Sequence, residues 1–218
     1  MLAKMMSRQS RHQLVPTGFT LIELMVTIAI MAVIIALVAP SFRRMIEMQR
    51  LRSITAQLVT DLQFARSEAV QRNALMRLDF EQNGPFGAAT LTCYTIYTAP
   101  SGAVRCDCRL GVGAACLAVA GSTEIRTVQV PSDSLGVQVS IDTRPLFGNQ
   151  FDWAFAFDNV TGGLFVIPTD DSNAPFEGIR IDSFLDNQRA LAVKISRAGR
   201  PSVCAPAGST MTEIACPP

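Results

Sequence analysis

At 218 residues the chain has room for one membrane helix and one compact domain of about 100 to 150 residues, which excludes two large domains. A formal net charge of +1 excludes a globally basic nucleic-acid binder and leaves such a role to a local patch. The only histidine, His12, lies in the first few residues, so the rest of the chain has neither Ser-His nor Cys-His chemistry and no imidazole for a metal.

The chain opens on a basic leader containing Lys4, Arg8 and Arg11, which ends at Gly18. Phe19 to Val38 is a mostly apolar run with a single charged residue, and twenty helical residues at about 1.5 Å each span the roughly 30 Å hydrocarbon core of a bilayer. A secretory signal places its small-residue cleavage site after the apolar stretch. Here Gly18 comes before it, so a cut at Gly18 keeps the apolar helix. Such a cut also removes the three basic leader residues, leaving 16 basic against 18 acidic residues.

Glu23 is the charged residue. A carboxylate inside a lipid helix costs roughly 2.5 to 3.5 kcal/mol, so it requires a partner. Cutting after Gly18 creates one, because it frees an ammonium at Phe19, four residues away. Within one helix or between neighbouring subunits, the two charges neutralise each other where the dielectric is low.

Gly18-Phe19-Thr20-Leu21-Ile22-Glu23 resembles the processing motif of the type IV pilin and type II secretion pseudopilin superfamily. The resemblance implies cleavage after Gly18 by a prepilin peptidase, methylation of the Phe19 amine, and a role for Glu23 in assembly. Pro40 fits the helix kink often found in pilins, and on its own would equally end the span. Three basic residues precede the span, while Arg43, Arg44, Arg50 and Arg52 follow it, so the positive-inside count does not set the orientation. The cysteines and the resemblance place the leader in the cytoplasm and the rest in the periplasm or outside.

Beyond Pro40, Met48, Leu51, Ile54, Leu58, Leu62, Ala65 and Ala69 recur at steps of three or four, which predicts an amphipathic helix to about residue 73. Arg50, Arg52, Gln57, Asp61, Arg66 and Gln71 fall largely off that stripe. Arg66 and Glu68 read as solvated, and Arg72-Asn73 as the helix exit. Leu62 to Asn73, with the strand-like Ala74 to Phe80 behind it, is similar to the GspH/FimT branch of the superfamily, which holds minor pilins and minor pseudopilins of the FimT and FimU kind.

Strands are predicted over Ala74 to Phe80, Thr90 to Thr98, Ile125 to Val130, Val137 to Ile141, Phe151 to Phe157, Leu164 to Ile167 and Ala190 to Ser196, separated by Gly, Pro, Asn and Asp. Trp153, Phe155 and Phe157 alternate and read as one core face. Asn159 to Gly163 is a turn. Asp170-Asp171 with Asn173 lacks the spaced ligand series of a calcium loop and reads as a solvated turn. The fold class is α+β: a long N-terminal transmembrane and stalk helix packed on an antiparallel β head. The expected divisions are a leader at 1–18, a transmembrane helix at 19–39, an amphipathic stalk at 40–73 and a disulfide-stapled head at 74–218.

Cys93, Cys106, Cys108, Cys116, Cys204 and Cys216 all follow the apolar segment, and an even set in an oxidising compartment reads as disulfides rather than zinc ligands. Ala99 to Ala120 reads as an inserted loop. Either Cys106 or Cys108 would pair with Cys116, leaving the other for Cys93, while Cys204 and Cys216 would staple the tail.

Asn187 to Cys204 holds Arg189, Lys194, Arg197 and Arg200 with no acidic residue, a candidate phosphate-binding edge. No aromatic platform for single strands is evident beside it. The FimT branch is associated with DNA capture through a C-terminal Gly-Arg-x-Arg pattern. Gly199 and Arg200 match it, and Ser202 stands where the second Arg would be.

The chain thus reads as a minor pilin or pseudopilin, a structural subunit and not an enzyme, without cofactor or metal. Its expected partners are a prepilin peptidase, other minor and major pilins or pseudopilins, and the inner membrane. The alternatives are a GspH-type pseudopilin of a type II secretion system and a DNA-binding subunit for natural transformation. The expected location is the bacterial inner membrane with a periplasmic head, then a pilus or pseudopilus.

Overall fold

The structure, a computed structural model, describes residues 18–83, 91–100, 105–131, 140–145, 154–166, 178–186 and 188–217. The leader residues Lys4, Arg8, Arg11 and His12, the core candidate Trp153, the Asp170-Asp171-Asn173 cluster and Asn187 lie outside the described residues, as do the predicted strand ends at Val137, Phe151 and Ile167. The chain divides into two compact units, one ending at Arg44 and the other running from Met45 to the C-terminus.

One helix, α1 (Leu21–Arg72), contributes to both units and passes through Pro40 without ending there. In the first unit its apolar residues are all exposed, from Leu21 at 76% to Val38 at 54%, over a stretch long and apolar enough to cross a membrane. In the second unit the predicted stripe is the buried face, with Leu51, Leu58, Leu62, Ala65 and Ala69 at zero exposure. The helix exits as expected: Asn73 has φ +48°, and Arg72 pairs with Glu68 one turn earlier.

Among the described residues nine strands follow: β1 (Met76–Asn83), β2 (Leu91–Thr98), β3 (Thr123–Pro131), β4 (Ser140–Pro145), β5 (Ala154–Phe157), β6 (Leu164–Val166), β7 (Gly178–Phe184), β8 (Ala190–Ser196) and β9 (Pro201–Cys204). They form two antiparallel sheets, ordered β3-β2-β1-β5-β6 and β4-β7-β8-β9. Strands β7 and β9 are additions to the predicted set. In β7 the inward Ile179 and Ile181 alternate with Arg180 and Asp182, and the charges hide the pattern; β9 is four residues long and starts on proline.

Both sheets turn apolar side chains to a single core. Met76, Leu78, Phe80, Tyr94, Ile96, Phe155 and Phe157 from the first sheet meet Ile179, Ile181, Leu191, Val193 and Ile195 from the second, together with the buried face of α1. The sheets are joined where Leu164 of β6 donates its N–H to the carbonyl of Arg197 after β8, at 2.8 Å. The other face of the first sheet carries Arg77, Asp79, Thr95, Tyr97 and Cys93. The loop between β2 and β3 is cross-linked to that face, so the sheet is covered on both sides.

Candidate functional site

The helix of the first unit begins at a cap. Thr20 accepts the Glu23 N–H on its Oγ1 at 3.3 Å and the Leu24 N–H on its carbonyl at 3.1 Å, the Thr-x-x-Glu spacing of a capping box. Glu23 sits in the first turn, where the helix dipole favours a negative charge. Phe19 is 82% exposed, and a Cβ added at Gly18 would have no atom within 4 Å. Chemically, the segment offers an accessible Gly-Phe peptide bond and a carboxylate one turn away.

Of the four arginines after the apolar run, two belong to the second unit's own fold. Arg50 donates to the Pro131 carbonyl at 2.8 Å. Arg52 binds Glu213 at 3.0 Å and Thr212 at 3.1 Å. Neither is a free flanking charge.

The buried face of α1 also holds a residue that its sequence position put off the stripe. Asp61 is 1% exposed, accepts the Tyr94 hydroxyl at 2.6 Å and pairs with Arg126 of β3 at 3.1 Å. A carboxylate is tolerated there because an aromatic hydroxyl and a guanidinium satisfy it. Burial, then the bond to Asp61, pushes the Tyr94 hydroxyl far up, which keeps it a donor. Arg66 likewise is not simply solvated: its Nε donates to the Gly162 carbonyl at 3.0 Å, tying α1 to the turn between β5 and β6. In that turn Asp158 accepts the N–H groups of Val160 and Thr161, so the expected turn at Asn159 to Gly163 is present.

The four basic candidates do not form one cluster. Arg189 lies before β8, bound to Asp186 at 2.7 Å and to Glu47 at 2.5 Å, and these hydrogen bonds push its already high pKa further up. Lys194, Arg197 and Arg200 lie toward the other end of β8, past the five to eight residues that separate Lys194 and Arg197 from Arg189 along a strand rising about 3.3 Å per residue. Among the described residues, no ion pair engages these three side chains. Arg197 and Arg200 are exposed, and Ser202 of β9, opposite Lys194, donates to the Lys194 carbonyl at 3.2 Å.

Two features of that turn were not evident in the sequence. Phe165 of β6 is 49% exposed and follows Leu164, the residue whose N–H is bonded to the Arg197 carbonyl. Gly199 has φ +71°, and a Cβ there would lie 2.2 Å from the Gly162 carbonyl oxygen. That contact explains the glycine by packing.

All six cysteines are paired: Cys93–Cys108, Cys106–Cys116 and Cys204–Cys216. The sequence left Cys106 and Cys108 interchangeable, and the structure assigns the first to Cys116. The tail staple closes a ring worth about 3 kcal/mol in the chain-entropy account. Among the described residues no cluster of three or more His, Cys, Asp or Glu is arranged to hold a metal.

A family model described as the type II transport protein GspH matches residues 55–199, more than half of the chain. A second, the prokaryotic N-terminal methylation motif, matches residues 17–39. No curated protein and no solved structure matches. The methylation motif covers the capped, exposed apolar helix, and the GspH match runs from the buried face of α1 to Gly199 at the packed turn. An N-terminal motif of this kind implies processing by a prepilin peptidase and assembly with other pilins through a single-pass membrane anchor. The chain belongs to the GspH/FimT branch of the type IV pilin and pseudopilin superfamily.

Proposed function

We propose that the chain is a structural subunit of a type IV pilus, a minor pilin, rather than an enzyme. The leader at 1–18 lies in the cytoplasm and is cut after Gly18, the Phe19 amine is methylated, residues 19–39 span the inner membrane, and the stalk at 40–73 carries the head at 74–218 into the periplasm. The subunit then enters or primes the filament. The observation that carries this reading is the fully exposed apolar helix that starts at Thr20 and holds Glu23 one turn from the new terminus. An exposed helix of this kind needs lipid or neighbouring helices around it, and Glu23 needs the amine of Phe19 or of a neighbouring subunit. Three disulfides and the partial Gly-Arg pattern favour the pilus over the type II secretion pseudopilus, the alternative assembly.

Glu23 supplies the test. Glu23→Val makes the helix more apolar, so membrane insertion should be kept while incorporation falls. The expected result is unchanged membrane fractionation with at least a tenfold loss of the subunit from sheared filaments, roughly 1.4 kcal/mol or more per site. Equal incorporation of parent and variant would refute the assembly role.

A second reading, DNA capture, is favoured by the exposed Arg197 and Arg200, which no ion pair among the described residues engages, and by the half-exposed Phe165 on β6, the strand bonded to the Arg197 carbonyl. Two or three phosphate contacts give weak, steeply salt-dependent binding, and an aromatic face adds stacking for an unpaired base. Full-length protein in detergent should retard DNA at low salt, and Arg197→Ala/Arg200→Ala should abolish the shift. Arg189→Ala should leave it intact, because that side chain is engaged by Asp186 and Glu47. Absence of a shift at low salt eliminates this reading and leaves the structural one standing.

A further inference from the structure

Cys106 and Cys108 are two residues apart and face two candidate partners, Cys93 on β2 and Cys116 in the loop. Ring closure alone does not select the observed pairing. The observed bonds span separations of 15 and 10 residues, whereas exchanging partners would shorten each by two. The loop-closure law therefore favours the exchanged set, by about 1.7-fold. Something in the fold has to set the register of the loop on the sheet.

Two contacts hold that register, one on each side of the cysteine pair. Upstream, Asp79 of β1 is fully buried and accepts the Tyr97 hydroxyl on Oδ2 at 2.6 Å, while its Oδ1 lies 3.3 Å from the Nε of Arg105, the residue before Cys106. Downstream, Gln129 of β3 sits directly across from Cys93 in the strand register. Its Nε2 donates to the carbonyls of Cys108 at 2.9 Å and of Arg109 at 3.2 Å. Gln129 thus brings the backbone of Cys108 to the position of Cys93, and Asp79 keeps Arg105 one step behind. Between them, Asp107 caps the short 3-10 turn at Cys108–Leu110 and donates its own N–H to the Ala115 carbonyl at 2.9 Å, which sets Cys106 beside Cys116.

We propose that Asp79 and Gln129 select the disulfide pairing, by fixing the register of the 105–116 loop before the bonds close. Each bond forms as two thiols pass two electrons and two protons to a disulfide oxidant, such as oxidised glutathione, which leaves as two thiols. A wrong Cys93–Cys106 bond is corrected by exchange without net oxidation: the Cys108 thiolate attacks the Cys93 sulfur, and Cys106 departs as a thiolate that is then free for Cys116. Asp79 and Gln129 act by stabilising the one arrangement in which that exchange stops.

The sequence offers a direct readout. A protease that cuts before aspartate separates Cys106 from Asp107, giving one fragment with Cys93 and Cys106 and another with Cys108 and Cys116. The observed pairing links the two fragments; the exchanged pairing leaves them apart. Full-length protein in detergent is reduced, unfolded, refolded in a glutathione buffer, alkylated, and digested without reduction. The parent should give linked fragments, with under about 10% separated, and Asp79→Asn/Gln129→Ala should raise the separated fraction several-fold, toward the roughly 60% that loop closure sets between these two pairings. Arg105→Gln, which leaves the Tyr97–Asp79 hydrogen bond in place, should also raise the separated fraction several-fold. Fully linked fragments in both variants would overturn the assignment.

Discussion

Gly18→Ala is expected to leave the 218-residue chain uncut, as a leader-length mass difference from the parent in cells that process the parent. The argument for a clean result is geometric. A Cβ at position 18 meets no atom within 4 Å, so the substitution does not disturb the helix cap at Thr20 or anything beyond it. Whatever is lost is lost at the peptidase, which must fit the peptide bond into its own site. In the proposed topology an uncut chain would keep Lys4, Arg8 and Arg11 on the cytoplasmic side and would not free the Phe19 amine, leaving Glu23 without the counter-charge proposed for it. The all-or-none outcome is read by intact mass of the membrane fraction. Processing at the parental rate would remove Gly18 from the recognition site.

Gly199→Ala is the opposite case, a glycine required by packing. Its φ of +71° costs an L residue about 1 to 2 kcal/mol. The added methyl would lie 2.2 Å from the Gly162 carbonyl and 3.3 Å from Arg66, which donates to that same carbonyl. The turn is bounded by the Leu164–Arg197 hydrogen bond that joins the two sheets, so a shift to relieve the clash strains that bond. A loss of about 3 kcal/mol or more is expected, measured as the shift of the urea midpoint of the full-length protein in detergent. A loss below about 1 kcal/mol would mean that the turn adapts easily. Processing at Gly18 should be unaffected, so the two glycines separate recognition from folding.

The N-terminal chemistry and the order of elements were legible in the sequence because both rest on local patterns. A twenty-residue, mostly apolar run and a stripe at steps of three and four needed no partner to be read, and α1, at Leu21–Arg72, covers all but the first two residues of the run and the whole stripe. The β-branched runs located seven of the nine strands among the described residues. What escaped were features decided across long sequence separations. Asp61 fell largely off the apolar stripe, yet Tyr94 and Arg126 reach it from two strands. Arg189 looked like one of four equivalent cations, but Glu47, far away in the chain, engages it. The pairing of Cys106 and Cys108 is undetermined for the same reason, because it depends on where β1 and β3 hold the loop.

The base of the head also has a mechanical reading. A pull on α1 along its axis reaches the head first at Glu47, Arg50 and Arg52, whose partners are Arg189, the Pro131 carbonyl and Glu213. These contacts join the helix to three separate segments, so more than one must open before the helix is released. Glu213 lies inside the ring closed by Cys204–Cys216, so the tension it receives passes through a covalent bond into β9 and the second sheet. A free C-terminal tail would peel away under such a load; the staple makes this one a tether.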